Sequence, residues 1–65
     1  MKFELALKAM REGKRVKRPR YSVEYFISGS NIKYIQKIDG KEYDFGGANA
    51  INGEDIMSDD WEIVI

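Results

Sequence analysis

The sequence predicts an α+β domain in which one N-terminal helix packs on a small antiparallel sheet of about five short strands. Three observations support this prediction. Apolar residues recur at helical spacing near the start, short β-type segments follow one another to the end, and glycine-containing turns separate several of them. Because the chain has 65 residues, we expect a single domain, 1–65, whose core lies near the lower limit for autonomous folding.

The helix is predicted for residues 2–12. Its apolar stripe follows the i, i+3, i+4, i+7 spacing of an amphipathic helix and consists of Phe3, Ala6, Leu7 and Met10. Gly13 follows at the point where a residue in the left-handed conformation would end a helix.

Two short strands are predicted next. Residues 15–18 place Val16 inward between basic neighbours, and Pro19 interrupts regular pairing because it has no N–H. Residues 25–27, Tyr-Phe-Ile, form the second strand. The small polar residues 28–31 favour a turn, so a hairpin is expected there.

A further hairpin is predicted in the middle of the chain. Residues 32–38 alternate so that one face carries Ile32, Tyr34, Gln36 and Ile38. Asp39-Gly40 suits a two-residue type I′ turn, after which residues 41–45 would pair back.

The last third of the chain begins with a glycine- and asparagine-rich stretch, residues 46–53. It indicates either an irregular loop close to a ligand or another backbone, or a flexible connector. Residues 54–57 fit one helical turn, and residues 61–65 fit a terminal strand in which apolar side chains alternate from Trp61. At this position Trp61 is expected to anchor the core or a subunit interface.

Charge is divided unevenly along the chain. Residues 1–20 contain eight basic and two acidic side chains, a net charge of +6, and the whole chain is neutral, so the remainder carries −6. This polarity argues against general coating of nucleic acid, which needs a uniformly basic surface, and favours a local anion site. Alternatively, the opposite charges simply attract one another within or between subunits.

The chain contains neither Cys nor His. Disulfides and structural metals therefore lack their commonest ligands, and self-association is the expected reinforcement for so small a core. No motif places a nucleophile beside a base, so neither enzyme activity nor a cofactor is expected. The acidic side chains of Glu54, Asp55, Asp59 and Asp60 lack the spacing of a calcium loop, and we interpret them as part of a solvated turn rather than a metal site.

No apolar run approaches the roughly 20 residues needed to span a bilayer, and residues 1–10 lack the continuous apolar stretch of a signal peptide. We therefore expect an unprocessed, soluble protein with no membrane partner. The absence of Cys fits a cytoplasmic location.

The segment Lys17-Arg18-Pro19-Arg20-Tyr21 combines two guanidinium forks with an aromatic face. Guanidinium groups match phosphate geometry, and a base can stack on an aromatic ring, so the segment suits a nucleotide. The alternative is an ordinary solvated strand with a partly buried tyrosine.

Two sets of residues carry a resemblance to a known family. The first comprises Phe3, Ala6, Leu7, Met10, Gly13, Val16, Arg18 and Tyr21; the second is the ending Asp55-Ile56-Met57-Ser58-Asp59-Asp60-Trp61-Glu62-Ile63-Val64. Together, in this order, they resemble the type-two Thoeris anti-defence proteins of phages. The resemblance covers residues 3–27 and 53–65. Tyr21 stands where the family usually has Trp, and the loop lacks the aromatic residue that often precedes the family's polar contacts.

The resemblance implies a phage-encoded sponge that acts in the cytoplasm of the bacterial host cell. Such proteins form homo-oligomers, here expected to be a dimer or tetramer, and sequester glycocyclic ADP-ribose or cyclic dinucleotides without cleaving them. Carried over by position, Arg18 would bind phosphate, Tyr21 would stack a base and Asn52 would hydrogen-bond the ligand. Local chemistry adds Arg20 and Asn49 to this set.

Two functions from other classes remain as alternatives. One is a small nucleic-acid-binding module that uses the same basic strand. The other is a protein-interaction module whose exposed sheet edge pairs with a partner strand.

Overall fold

A computed structural model of the chain describes residues 1–44 and 51–65. The elements in these residues are α1 (Phe3–Arg11), β1 (Val16–Lys17), β2 (Val23–Ser28), β3 (Asn31–Gln36), β4 (Glu42–Asp44), α2 (Gly53–Met57) and β5 (Glu62–Ile63). The strands form one antiparallel sheet in the order β4-β3-β2-β1-β5. Helix α1 packs against β1, β2 and β5. The predicted α+β fold is confirmed.

Helix α1 ends as its sequence predicts. Gly13 has a φ of +88°, and its N–H donates to the carbonyl of Met10 at 3.0 Å, while the N–H of Lys14 donates to the carbonyl of Ala9 at 3.0 Å. This pair of bonds is a Schellman motif, which satisfies carbonyls that the helix leaves without partners. The motif turns the chain directly into β1.

The hairpin between β2 and β3 is also confirmed. Ser28 pairs with Asn31, so Gly29 and Ser30 form a two-residue connection. Gly29 has a φ of +64°, a conformation that glycine adopts without a steric penalty.

The predicted two-residue turn at Asp39-Gly40 is wrong. A type I′ turn needs a positive φ at both central residues, and among the described residues only glycines have one, including Gly40 at +68°. The strand instead ends at Gln36, whose N–H bonds the carbonyl of Lys41 and whose carbonyl accepts the N–H of Gly40. Residues 37–40 therefore form a four-residue connection, and Ile38, predicted to lie in the strand, is 87% exposed.

The core lies between α1 and the β2-β1-β5 half of the sheet. Its buried members are Ala6, Ala9, Met10, Val16, Val23, Tyr25 and Trp61. Trp61 is 1% exposed, and its ring lies 5.4 Å from that of Phe3 and 5.9 Å from that of Tyr25, between centroids. Its expected role as a core anchor is confirmed. The alternation predicted beyond it ends early, because β5 stops at Ile63 and Ile65 is fully exposed.

The residue pairing divides side chains between the two faces of the sheet. Val16, Tyr25, Tyr34 and Tyr43 lie in one row across neighbouring strands, on the face that α1 partly covers. Lys17, Glu24, Ile35 and Glu42 form the adjacent row, which points to the opposite face because successive side chains of a strand alternate. Basic Lys17 therefore points away from the core.

Candidate functional site

Arg18 follows β1 directly, and its side chain turns into the protein. Its Nε donates to Oδ1 of Asp60 at 2.7 Å, Nη2 donates to Oδ2 of the same carboxylate at 3.3 Å, and Nη1 donates to Oδ1 of Asp55 at 2.6 Å. The side chains of Arg18, Asp55 and Asp60 are 6%, 14% and 41% exposed, respectively. One guanidinium thus connects the end of β1 with two points of the C-terminal segment.

The hydrogen bonds of this cluster favour the charged forms of Arg18 and Asp60. The hydrogen bond with Asp60, followed by that with Asp55, raises the pKa of Arg18 above its ordinary value. The same bond lowers the pKa of Asp60. Counting one guanidinium and two carboxylates, the cluster carries a net charge of −1.

This geometry bears on the predicted phosphate contact of Arg18. Each of its three guanidinium nitrogens already donates to a carboxylate, and its side chain is 6% exposed, so little of the guanidinium is open to a phosphate. What the structure does show is that Arg18 joins β1 to the C-terminal segment. Its binding of a phosphate stays a prediction.

Pro19 and Arg20 are the central residues of a turn, because the N–H of Tyr21 donates to the carbonyl of Arg18 at 3.1 Å. Proline is favoured at the first central position of such a turn since its φ is already set. The turn leaves Arg20 exposed and Tyr21 47% exposed.

The ring of Tyr21 lies against Arg18. The guanidinium carbon is 5.2 Å from the ring centroid, within the range of a cation–π interaction. Arg20 is close enough to Asp60 to help lower its pKa. Arg18 and Arg20 thus both lie near Asp60, and Tyr21 lies against Arg18.

Asn52 is the N-cap of α2. Its side-chain oxygen accepts the N–H of Asp55 at 3.0 Å, and Oδ2 of Asp55 accepts the N–H of Asn52 at 3.0 Å, which makes a capping box. Asp55 also binds Arg18 through its other oxygen, so one carboxylate connects Asn52 with the Arg18 cluster. Asn49 lies outside the described residues.

Asp55 and Asp60 are the members of this cluster that the sequence prediction did not place in the site. The available signal was the charge division, since the acidic ending had to balance the basic start. That signal does not say which carboxylates meet which cation, because 37 and 42 positions separate the partners.

Glu24 forms a second charged cluster, on the face of the sheet away from α1. It is 8% exposed, and its carboxylate lies 3.6 Å from the guanidinium of Arg15 and 3.6 Å from the ammonium group of Lys37. Arg15 also lies over the ring of Phe26, 5.9 Å from its centroid. Counting two cations and one carboxylate, this cluster carries a net charge of +1.

Two surface clefts lie away from the predicted site residues. One, of about 500 Å³, is lined by Ser30, Asn31, Ile32 and Asp44; the other, of about 400 Å³, is lined by Lys2, Glu4, Ile56, Met57, Ser58 and Asp59. Among the described residues that line them, neither cleft has a basic-aromatic pair like that of Arg20 and Tyr21.

Within residues 1–44 and 51–65, no group of three or more acidic side chains has a geometry that would hold a metal ion. In the same residues no helix has the length and apolar character needed to cross a membrane. Comparison of the chain with protein-family models, with curated proteins and with solved structures finds no match.

Proposed function

We propose that this protein is a homo-oligomeric sponge that binds and sequesters a cyclic nucleotide signal without cleaving it, like the type-two Thoeris anti-defence proteins that its sequence resembles. The proposal places it in the cytoplasm of a bacterial host cell during phage infection. Glycocyclic ADP-ribose and cyclic dinucleotides are the candidate ligands.

The observation that carries the proposal is the position of Tyr21. Tyr21 is 47% exposed, and its ring packs on the guanidinium of Arg18. The residue before it, Arg20, is also exposed. An exposed aromatic residue beside an exposed cation provides base stacking and phosphate pairing at adjacent positions. Arg20 is therefore the proposed phosphate contact, and Tyr21 the proposed stacking contact.

Self-association completes the proposed site. A turn on the surface of one small domain encloses little of a ligand, whereas sites that bind small molecules tightly bury most of the ligand's surface. A second copy of the chain, in a dimer or tetramer, would supply the facing wall. Light scattering at micromolar concentration tests this part, and a monomer that still binds the ligand tightly would contradict it.

Titration calorimetry with glycocyclic ADP-ribose, cyclic ADP-ribose isomers and cyclic dinucleotides tests the binding. We expect Arg20→Ala to weaken the affinity about tenfold or more, the effect of one charge-assisted bond. Tyr21→Phe should retain most of the affinity, and Tyr21→Ala should lose much of it, because stacking needs the ring and not its hydroxyl. Arg11→Ala is the matched control, since Arg11 is an exposed arginine and is the last residue of α1.

Three results would contradict the proposal. The first is that no nucleotide of the panel binds the wild-type protein. The second is that binding occurs but Arg20→Ala and Tyr21→Ala are as silent as the control. The third is that the ligand, released by heating the complex, is recovered as a cleavage product. Binding to an oligonucleotide with a steep salt dependence would instead support the nucleic-acid-binding alternative.

A further inference from the structure

We propose that Asp60 is a positioning residue for the candidate ligand site: it fixes the guanidinium of Arg18, which in turn fixes the ring of Tyr21. The effect of Asp60 on ligand affinity rests on the proposed function. Its geometric part concerns the protein alone and can be tested without any ligand.

The first step is the two-point contact between Asp60 and Arg18. Both carboxylate oxygens of Asp60 accept bonds from one edge of the guanidinium, at 2.7 and 3.3 Å. A paired contact of this kind sets the plane of the guanidinium as well as its position. Asp55 binds the remaining Nη1 at 2.6 Å, so rotation of the group would break contacts on two sides.

The second step is that Asp60 itself is held by the core. The next residue, Trp61, is 1% exposed, its indole N–H donates to the carbonyl of Asp55 at 2.8 Å, and its backbone N–H donates to the carbonyl of Met1 at 3.1 Å. The backbone on one side of Asp60 is therefore fixed by the largest fully buried side chain among the described residues, although the carboxylate is 41% exposed.

The third step concerns the freedom of Tyr21. The backbone bond to Arg18 fixes the turn but not the rotation of a side chain that is 47% exposed. Within residues 1–44 and 51–65 no other aromatic ring packs against Tyr21, while the guanidinium lies 5.2 Å from its centroid. Arg18 is therefore the described contact that can orient the ring, and Arg18 itself is held by Asp60 together with Asp55.

Loss of this support should weaken binding, because the ligand would then have to order the ring itself. For one immobilised side chain the effect is about two- to tenfold in affinity. The direction in which the affinity changes distinguishes positioning from simple electrostatics. If Asp60 acted only through its charge, its removal would favour an anionic ligand and strengthen binding.

The experiment compares Asp60→Asn with Asp59→Asn. Both variants lose one carboxylate from neighbouring positions, but Asp59 is exposed and its side chain has no partner among the described residues. In the wild-type protein, NMR should show contacts between the Tyr21 ring and the δ and ε protons of Arg18, with ring-current shifts that Tyr21→Leu removes. Asp60→Asn should reduce these shifts, Asp59→Asn should leave them unchanged, and Asp60→Glu should restore part of them.

Calorimetry then measures the coupling in a double-mutant cycle. With the ring in place, Asp60→Asn should weaken nucleotide binding; in the Tyr21→Ala background it should have no further effect. Additive losses, tighter binding by Asp60→Asn, or equal effects of Asp59→Asn would overturn the proposal. The absence of any ring contact to Arg18 in the wild-type spectrum would overturn it even if Asp60→Asn failed to fold. If the wild type binds no nucleotide of the panel, the proposed function fails, and the NMR shifts still decide whether Asp60 positions Tyr21.

Discussion

Replacement of Arg18 by alanine should destabilise the fold, not merely weaken ligand binding. The substitution removes three charge-assisted hydrogen bonds and leaves two carboxylates without their common cation. Breaking a buried ion pair by removing one partner costs about 3–5 kcal/mol. The carboxylate of Asp60 is 41% exposed and can be rehydrated, while that of Asp55 keeps its bond from the N–H of Asn52, so we expect about 3 kcal/mol, the lower end.

That loss is large for a domain of this size. At about 0.05–0.15 kcal/mol per residue, 65 residues give a stability of about 3–10 kcal/mol. Each kcal/mol corresponds to about 4–8 °C in Tm for a small domain, so Arg18→Ala should lower Tm by about 12–24 °C. Far-UV circular dichroism during heating measures this shift.

Two further variants separate the contributions to this loss. Arg18→Lys keeps the charge but not the planar fork and should fall between the wild type and Arg18→Ala. Arg20→Ala removes an exposed arginine from the same turn and should leave Tm within a few degrees, because surface substitutions are usually within about 0.5 kcal/mol. If Arg18→Ala also melted within a few degrees of the wild type, the ion-pair cluster would not stabilise the fold, and the reasoning above would be wrong.

The remaining predictions concern the core and the response to acid. Trp61→Ala should lower the free energy of unfolding by about 3–5 kcal/mol, and Trp61→Phe by only about 1–2 kcal/mol for its lost N–H bond. Urea denaturation followed by circular dichroism checks both values. A cooperative Trp61→Ala transition within about 1 kcal/mol of wild type would contradict the assignment of the core. Because Arg18 lowers the pKa of Asp60, the stabilisation from this bond is complete above the ordinary aspartate pKa of 3.8 and is lost as pH falls through the lower folded value. The difference in Tm between wild type and Asp60→Asn should therefore shrink only below about pH 4. The pKa of Asp39 is also lowered, chiefly by the hydroxyl of Tyr43, so Asp39→Asn is the control for a carboxylate outside the Arg18 cluster. A pH-independent difference in Tm between wild type and Asp60→Asn would refute the role of Asp60.

The sequence predicted those parts of the fold that local physics determines. The stripe from Phe3 to Met10 and the glycine after it specify a helix and its end, because both signals act within a few residues. The turn at Gly29 is similarly local. Asp39-Gly40 shows the limit of such signals: the dipeptide is compatible with a two-residue turn, but the side chain of Asp39 instead accepts the N–H of Lys41, and a longer connection results.

The candidate site could be predicted only in part. Arg20 and Tyr21 are neighbours in the chain, so their joint exposure follows from the turn at Pro19. The burial of Arg18 could not be predicted, since it depends on carboxylates that approach only after the C-terminal segment has docked. The same basic run therefore contains Arg18, which is buried in ion pairs, and Arg20, which is exposed.

The position of β5 also has a consequence for the order of folding. β5 lies beside β1, with Ile63 opposite Val16, although 47 positions separate these two residues in the chain. Closing a flexible loop of that length costs about 3 kcal/mol of chain entropy before any contact is made. The two hairpins of the sheet's other half close over far shorter distances and therefore cost less chain entropy. The C-terminal segment can therefore dock stably only onto a partner surface that already exists, and Trp61 and the Arg18 cluster should form in the same late, cooperative step.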